Sequence, residues 1–102
     1  MIFRRGRFTD VVTRQLDLFV GDHAGDIEAA DERLRLYEAA GRDEAEELYG
    51  DYVDEVDGLV DLLVEMRTTY GASLSEDDAL RYGNEFARAA RRRLARFDLD
   101  LG

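Results

Sequence analysis

The sequence predicts an all-α protein, an up-down-up antiparallel three-helix bundle that forms one domain over residues 1–102. The chain contains no proline, and alanine, leucine, glutamate and arginine are common, so long uninterrupted helices are favoured. Apolar residues also recur at steps of three and four along most of the chain, which is the spacing of one helix face. Because the predicted connections are short, consecutive helices are expected to run antiparallel.

The first helix is predicted over residues 9–40. Thr9 or Asp10 is a plausible N-cap, and Gly41 is a plausible stop. Its apolar seam consists of Val12, Leu16, Phe19, His23, Ile27, Ala30, Leu34 and Tyr37.

Two glycines, Gly21 and Gly25, lie inside this helix, and each costs about 1 kcal/mol relative to alanine. They could divide the element. The apolar seam nevertheless continues through Phe19, His23 and Ile27 without a change of phase, whereas a loop usually resets it. We therefore expect one helix, bent at most between Gly21 and Gly25, and the sequence leaves open whether it is broken there.

The second helix is predicted over residues 43–71, and its part "DEAEELYGDYVDEVDGLVDLLVEM" carries ten carboxylates. A calcium-binding EF-hand loop needs oxygen ligands at positions 1, 3 and 5 and glycine at position 6. Here Asp51, Asp54 and Asp57 precede Gly58 at steps of three, which is helical spacing. We therefore interpret the acids as the solvent side of a helix whose heptad-like, coiled-coil-like seam is Ala45, Tyr49, Tyr52, Val56, Leu59, Leu63, Met66 and Tyr70.

The third helix is predicted over residues 76–97. Ser75 can accept a hydrogen bond at its start, with Asp78 in the reciprocal position of a capping box. Its core face is predicted to be Ala79, Gly83, Phe86, Ala90, Leu94 and Phe97, with Tyr82, Ala87 and Arg93 beside it. All five tyrosines of the chain are interpreted as core-edge residues whose hydroxyls reach water.

Both ends carry apolar side chains outside the predicted helices. The N-terminal tail, residues 1–8, is basic, and the C-terminal tail, residues 98–102, alternates leucine with aspartate as an extended segment would. One interpretation is that the tails cover the core of the bundle. The other is that they dock onto a partner or a second copy.

His23 is the one histidine of the chain and the one residue that suggests metal or acid–base chemistry. Because no Glu-x-x-His unit occurs, a di-iron centre within one subunit is excluded. Folding the chain at its two turns places Glu85 near His23, so a metal site of His23, Asp26 and Glu85, shared across a symmetric dimer, remains conceivable. The alternative is a core histidine bonded to a carboxylate or tyrosine.

Five arginines between Arg88 and Arg96 resemble a patch for nucleic acid, since guanidinium groups match phosphates. The same charges stabilise the last turns of a helix, and acids of the other two helices are expected beside them. With few interleaved aromatic residues and a net charge of −10, nucleic acid is not expected as a partner.

Composition excludes several classes. The absence of cysteine removes disulfides, zinc ribbons and thiol catalysis. No apolar run approaches the roughly 20 residues of a membrane span, and the start lacks a signal peptide's apolar region, so a cytoplasmic protein without membrane contact is expected. No phosphate-binding glycine motif occurs, and Ser73 and Ser75 have no activating base.

The stretches "RRGRFTDVVTRQLDLFVGDH" and "EAEELYGDYVDEVD" resemble a group of uncharacterised small acidic helical proteins of actinobacterial type. The resemblance implies a helical fold and a source but no activity. Helical hairpins exported by type VII secretion are similar in length and helicity, but their Trp-x-Gly turn is absent here.

These observations together suggest a non-enzymatic helical protein–protein interaction module that self-associates or joins a larger partner, without a cofactor. The alternative is a metal-binding or small-ligand-binding bundle assembled across a dimer. A nucleic-acid-associated regulator acting through Arg88 to Arg96 is a third and weaker possibility.

Overall fold

A computed structural model describes residues 6–102. It contains α1 (Thr9–Asp22), α2 (Ala24–Glu38), α3 (Arg42–Gly71), α4 (Glu76–Arg93) and a short 3-10 helix (Ala95–Phe97). Over the described residues there is no strand, so the all-α prediction is confirmed. The predicted count of three helices is wrong, because the first predicted helix forms two. Residues 1–5 of the predicted N-terminal tail lie outside the described part of the chain.

The interruption between α1 and α2 is a single residue, His23, with φ −115° and ψ 28°. Its N–H still donates to the Phe19 carbonyl at 2.9 Å, and its own carbonyl accepts from the Ile27 N–H at 3.0 Å. Phe19 and Ile27 are both buried. The spacing of the apolar residues therefore continues across the distortion, so this spacing is the same for one helix and for two. Gly21 and Gly25 flank this point and make the helix weakest there.

α3 is the element against which the rest of the bundle is arranged. Its 30 residues span about 45 Å, close to the longest dimension of the molecule, 50 Å. α2 packs along α3 as an antiparallel hairpin, and α4 packs on α3 after the second turn. α1 packs mainly on α4 instead, because the bend at His23 carries it away from α3.

The start of α1 is held by α4 and not by the predicted caps. Phe8 is the N-cap residue and has no side-chain cap, while the Thr9 hydroxyl donates to the Gly6 carbonyl at 2.8 Å. The Phe8 N–H donates to the carboxylate of Glu85 on α4 at 3.2 Å. This carboxylate satisfies an amide that the helix itself leaves unpaired.

The predicted cap of α4 is confirmed, since the Asp78 N–H donates to the Ser75 hydroxyl at 3.2 Å. Its predicted end at residue 97 is wrong. Leu94 leaves the helical conformation (φ −120°, ψ 43°), and the 3-10 helix follows. Buried side chains from all four helices form one core: Phe8, Val12, Leu16, Phe19, Ile27, Ala30, Val56, Leu59, Leu63, Tyr82, Phe86, Ala87, Ala90, Leu94, Phe97, Leu99 and Leu101.

The C-terminal segment, residues 98–102, covers the core. Asp98 adopts a left-handed conformation (φ 50°, ψ 58°), which aspartate tolerates better than most residues, and this reverses the chain. Leu99 and Leu101 are then only 3% and 2% exposed, while Asp98 and Asp100 face solvent. Of the two interpretations of this tail, the structure shows the one in which it packs on its own bundle.

No helix within residues 6–102 is both long enough and apolar enough to cross a bilayer.

Two glycine substitutions should have opposite effects on the free energy of unfolding. A Cβ at Gly58, inside α3, would have no neighbour within 4 Å, so Gly58→Ala should stabilise the protein by about 1 kcal/mol through helix propensity. A Cβ at Gly6 would collide with the Glu85 carboxylate, so Gly6→Ala should destabilise it by about 1–3 kcal/mol. Urea unfolding followed by circular dichroism measures both. A destabilising Gly58→Ala would contradict an uninterrupted α3.

Truncating the buried leucines of the C-terminal segment should be costly although they lie at the end of the chain. Leu99→Ala or Leu101→Ala should lower the free energy of unfolding by about 2–4 kcal/mol, the usual range for a buried leucine. Asp100→Ala, which changes an exposed side chain between them, is the matched control and should cost less than about 1 kcal/mol. Equal, small effects at all three positions would show that the segment is not part of the core in solution.

Candidate functional site

An open groove of about 670 Å³ lies between α1 and the C-terminal half of α3. It exists because α1 packs on α4 and leaves this part of α3 uncovered. Its lining is Gln15 and His23 from the α1 side, and Leu62, Glu65, Met66, Thr69, Tyr70 and Ser73 from α3 and the turn after it.

The floor of this groove is apolar. Leu62, Met66 and Tyr70 follow one another at steps of four on α3, so they share a face, and each is half-buried against the core. Leu18 is 57% exposed and lies three residues after Gln15, on the same side of α1. The apolar surface therefore continues from the floor of the groove onto the outer side of α1.

The wall formed by Gln15 is fixed from behind by Tyr82 of α4. The Tyr82 hydroxyl donates to Gln15 Oε1 at 2.7 Å, and its ring lies 4.7 Å from the Tyr70 ring, centroid to centroid. Tyr82 has no exposed surface, so the expectation that its hydroxyl reaches water is wrong. Tyr82 lies four residues before Phe86 on α4, and this spacing places both side chains on the buried face of the helix.

His23 is half-buried at the end of the groove where α1 meets α2. Its Nδ1 lies 3.5 Å from the Asp26 carboxylate, and its ring lies 4.7 Å from the Phe19 ring, centroid to centroid. Asp26 is thus beside it, as the candidate metal site requires.

Glu85, the third residue of that candidate site, is not beside His23. It binds the start of α1, whereas His23 follows the end of this 14-residue helix, about 21 Å along. The expected proximity failed because α1 and α4 pair in another register, in which Phe8 meets Glu85 and Asp17 meets Arg93. Among residues 6–102 no three histidine, aspartate or glutamate side chains form a group that could hold a metal ion. A site shared between two copies stays a prediction.

The arginines near the end of α4 contact acids of the first two helices. Arg96 makes two hydrogen bonds to the Asp31 carboxylate, the longer at 2.9 Å, which is one of the expected pairings. Arg93 lies 2.8 Å from Asp17 instead of an acid of α3. The prediction that these arginines lie beside acids is therefore confirmed for Arg96 and Asp31 of α2, whereas Arg93 pairs with Asp17 of α1.

A second, smaller concavity of about 350 Å³ lies on the other half of α3, beside the C-terminal segment. Tyr49, Tyr52 and Phe97 form aromatic walls, with 6.5 Å between the Tyr52 and Phe97 ring centroids. The carboxylates of Asp57, Asp98 and Asp100 also line it. The amino-acid sequence does not predict this site, because the site depends on the chain reversal at Asp98.

The groove carries negative charge, and none of its lining residues within the described range 6–102 is an arginine. Glu65 lines it, Asp61 lies one turn earlier on the same side of α3, and Asp22 precedes His23; all three acids are exposed. An apolar floor with acidic surroundings is suited to an apolar segment that carries positive charges.

The chain matches no protein-family model, no curated protein and no solved structure. Its function is therefore inferred from the geometry of these surfaces.

The buried hydroxyl of Tyr82 should make stability depend on pH in the alkaline range. Burial, which outweighs the hydrogen bond to Gln15, raises the pKa of Tyr82 above its ordinary value of 10.0. The folded state therefore favours the neutral phenol, which adds to the free energy of unfolding. This stabilisation is complete below the pKa that Tyr82 has in the unfolded chain, and it is lost as the pH rises through the pKa of Tyr82 in the folded protein. The free energy of unfolding should fall above about pH 10, and less so in Tyr82→Phe.

Urea unfolding at several alkaline pH values, with tyrosinate absorbance of the folded protein, measures this effect. Tyr82→Phe should also remove a late-ionising component from the absorbance curve. Identical pH dependence in the two proteins would show that Tyr82 is not desolvated in solution.

Proposed function

We propose that this protein is a non-enzymatic helical interaction module that binds an amphipathic, positively charged helix of another protein in the groove between α1 and α3. The observation that supports this most directly is the open groove of about 670 Å³ with its apolar floor. Clefts that bind ligands fall in a range of about 300–1,000 Å³ and have mostly apolar linings.

The shape of the groove favours a rod over a small molecule. It lies between two helices and is open to solvent, so a third helix can lie along it and complete a local four-helix arrangement with α1, α3 and α4. Leu62, Met66 and Tyr70 would then receive side chains spaced at i, i+3 or i+4 and i+7. Methionine suits such a surface because its flexible thioether adapts to partners of different shape.

The charge of the surroundings favours a basic partner. Glu65, Asp61 and Asp22 lie on or beside the groove, and the net charge of the chain is −10. Lysine or arginine on the flanks of the bound helix would face these acids. Such charges mainly raise the association rate and select the partner, while the apolar floor supplies affinity.

The proposal can be tested with a synthetic amphipathic peptide that carries leucine at helical spacing and lysine on its flanks. The chain has two methionines, Met1 and Met66, so protein labelled at the methionine methyl groups gives two methyl signals. The Met66 signal should shift on titration with the peptide. A scrambled peptide of the same composition should leave it unchanged, because its leucines do not share a face.

Thr69→Arg should weaken peptide binding by about ten-fold or more, since it places bulk and positive charge at the rim of the groove. Thr68→Arg is the matched control, because Thr68 is the neighbouring exposed threonine but does not line the groove. If neither peptide shifts Met66, or if both threonine variants weaken binding equally, the groove is not the docking site. Raising the salt concentration should slow association with little effect on dissociation.

A further inference from the structure

We propose that the smaller concavity beside the C-terminal segment binds an arginine side chain from the outer face of α4 of a second copy of this chain. The surface is distinct from the groove of the proposed function, and different residues carry it. Three features identify its occupant: the aromatic walls, the acids that make no ion pair among residues 6–102, and exposed arginines of α4 that make none there either.

The walls of the concavity fit a planar cation. Tyr49 and Tyr52 of α3 lie with their ring centroids 6.3 Å apart, and Phe97 closes the opposite side. Valine side chains of α3 form the floor. A guanidinium group stacks on aromatic faces and is more weakly hydrated than an ammonium group, so it loses less when it enters such a site.

The acids of the concavity lack a positive partner within the described chain. Asp57 and Asp98 make no ion pair among residues 6–102, and Asp100 accepts one hydrogen bond, from the Gly102 N–H at 3.1 Å. Arg96 is the arginine closest in sequence, but it is bound to Asp31 and packs over Phe97, 4.5 Å from the ring centroid. The site therefore combines three negative charges with a cavity of about 350 Å³.

The matching cations lie on the solvent face of α4. Arg81, Arg88 and Arg91 follow at steps of seven and three, so they share one face of the helix, and all three are exposed. None of them makes an ion pair with the described residues. This face points away from the core, and within residues 6–102 none of the three arginines pairs with an acid of its own copy's concavity. They can reach that of another.

Net charge does not prevent this contact. Two copies of charge −10 repel, but at physiological ionic strength the repulsion decays over about 8 Å, whereas a guanidinium that reaches Asp57 or Asp98 is in direct contact. The paired hydrogen bonds that arginine makes with carboxylates add geometric specificity. All 14 lysine-or-arginine positions of the chain are arginine, so each cation on the exposed face of α4 can make such paired hydrogen bonds.

The experiment uses two full-length variants that each remove one side of the contact. The first, Asp57→Asn with Asp98→Asn, loses the acids, and asparagine still tolerates the left-handed conformation at residue 98. The second, Arg88→Gln with Arg91→Gln, loses the cations. Both variants should fold, since all four side chains are exposed, and circular dichroism and urea unfolding check this.

Sedimentation velocity at increasing concentration gives the mass of each protein. The wild type should exceed the 11.6 kDa of one chain, and each variant alone should raise the dissociation constant by about ten-fold or more. An equimolar mixture of the two variants should recover association as a heterodimer, because one supplies intact arginines and the other an intact concavity. Added arginine amide should weaken the association of the wild type, because it competes for the concavity.

The controls remove the same number of charges elsewhere. Asp43→Asn with Glu44→Gln, and separately Arg14→Gln with Arg42→Gln, should leave the association unchanged. A wild type that stays at 11.6 kDa, or a mixture of variants that fails to associate, overturns the proposal. If arginine amide perturbs the tyrosine signals while the mass stays that of one chain, the occupant is a small cation, and the proposed contact between copies is wrong.

Discussion

The buried contact that organises this molecule is made by Tyr82. Its ring packs against Phe8 before α1, against Tyr70 near the end of α3 and against Phe86 one turn further along α4. Its hydroxyl is satisfied by Gln15 in the middle of α1. One side chain thus joins three helices, and its single polar atom is paired, which avoids the cost of about 1–3 kcal/mol for an unsatisfied buried group.

The position of α1 follows from this contact and from the distortion at His23. α1 is drawn onto α4 by Tyr82 and by the Glu85 carboxylate, while α2 remains packed along α3. α1 and α2 thus pack mainly on different helices, and the backbone leaves the helical conformation at His23, between Gly21 and Gly25. The groove between α1 and α3 exists because α1 packs on α4 and not along this part of α3. His23 lies at the end of the groove.

Charge is distributed unevenly over the bundle. Most acids of α3 lie between its core positions and face solvent, as the helical spacing indicates, and with ten acids and two arginines α3 is the most negative of the four helices. Arg93 and Arg96 connect the end of α4 to α1 and α2, whereas Arg81, Arg88 and Arg91 make no ion pair with the described part of the chain. These outer arginines are therefore separate from the ion pairs that connect the end of α4 to α1 and α2, which leaves them available for binding.

The amino-acid sequence by itself determined the helical class, the extent of α3 within one residue, the Ser75 cap and most core positions, because spacing, helix propensity and a local cap depend on neighbours in the chain. Tertiary structure alone decided the cap that Glu85 places on α1, the burial of Tyr82, the break at His23 and both concave surfaces. Each of these depends on which helix α1 packs against. The sequence could not choose, since an interruption of one residue leaves the apolar phase unchanged, and each of the two flanking glycines lowers helix propensity by only about 1 kcal/mol. Contacts between distant segments therefore settled the choice.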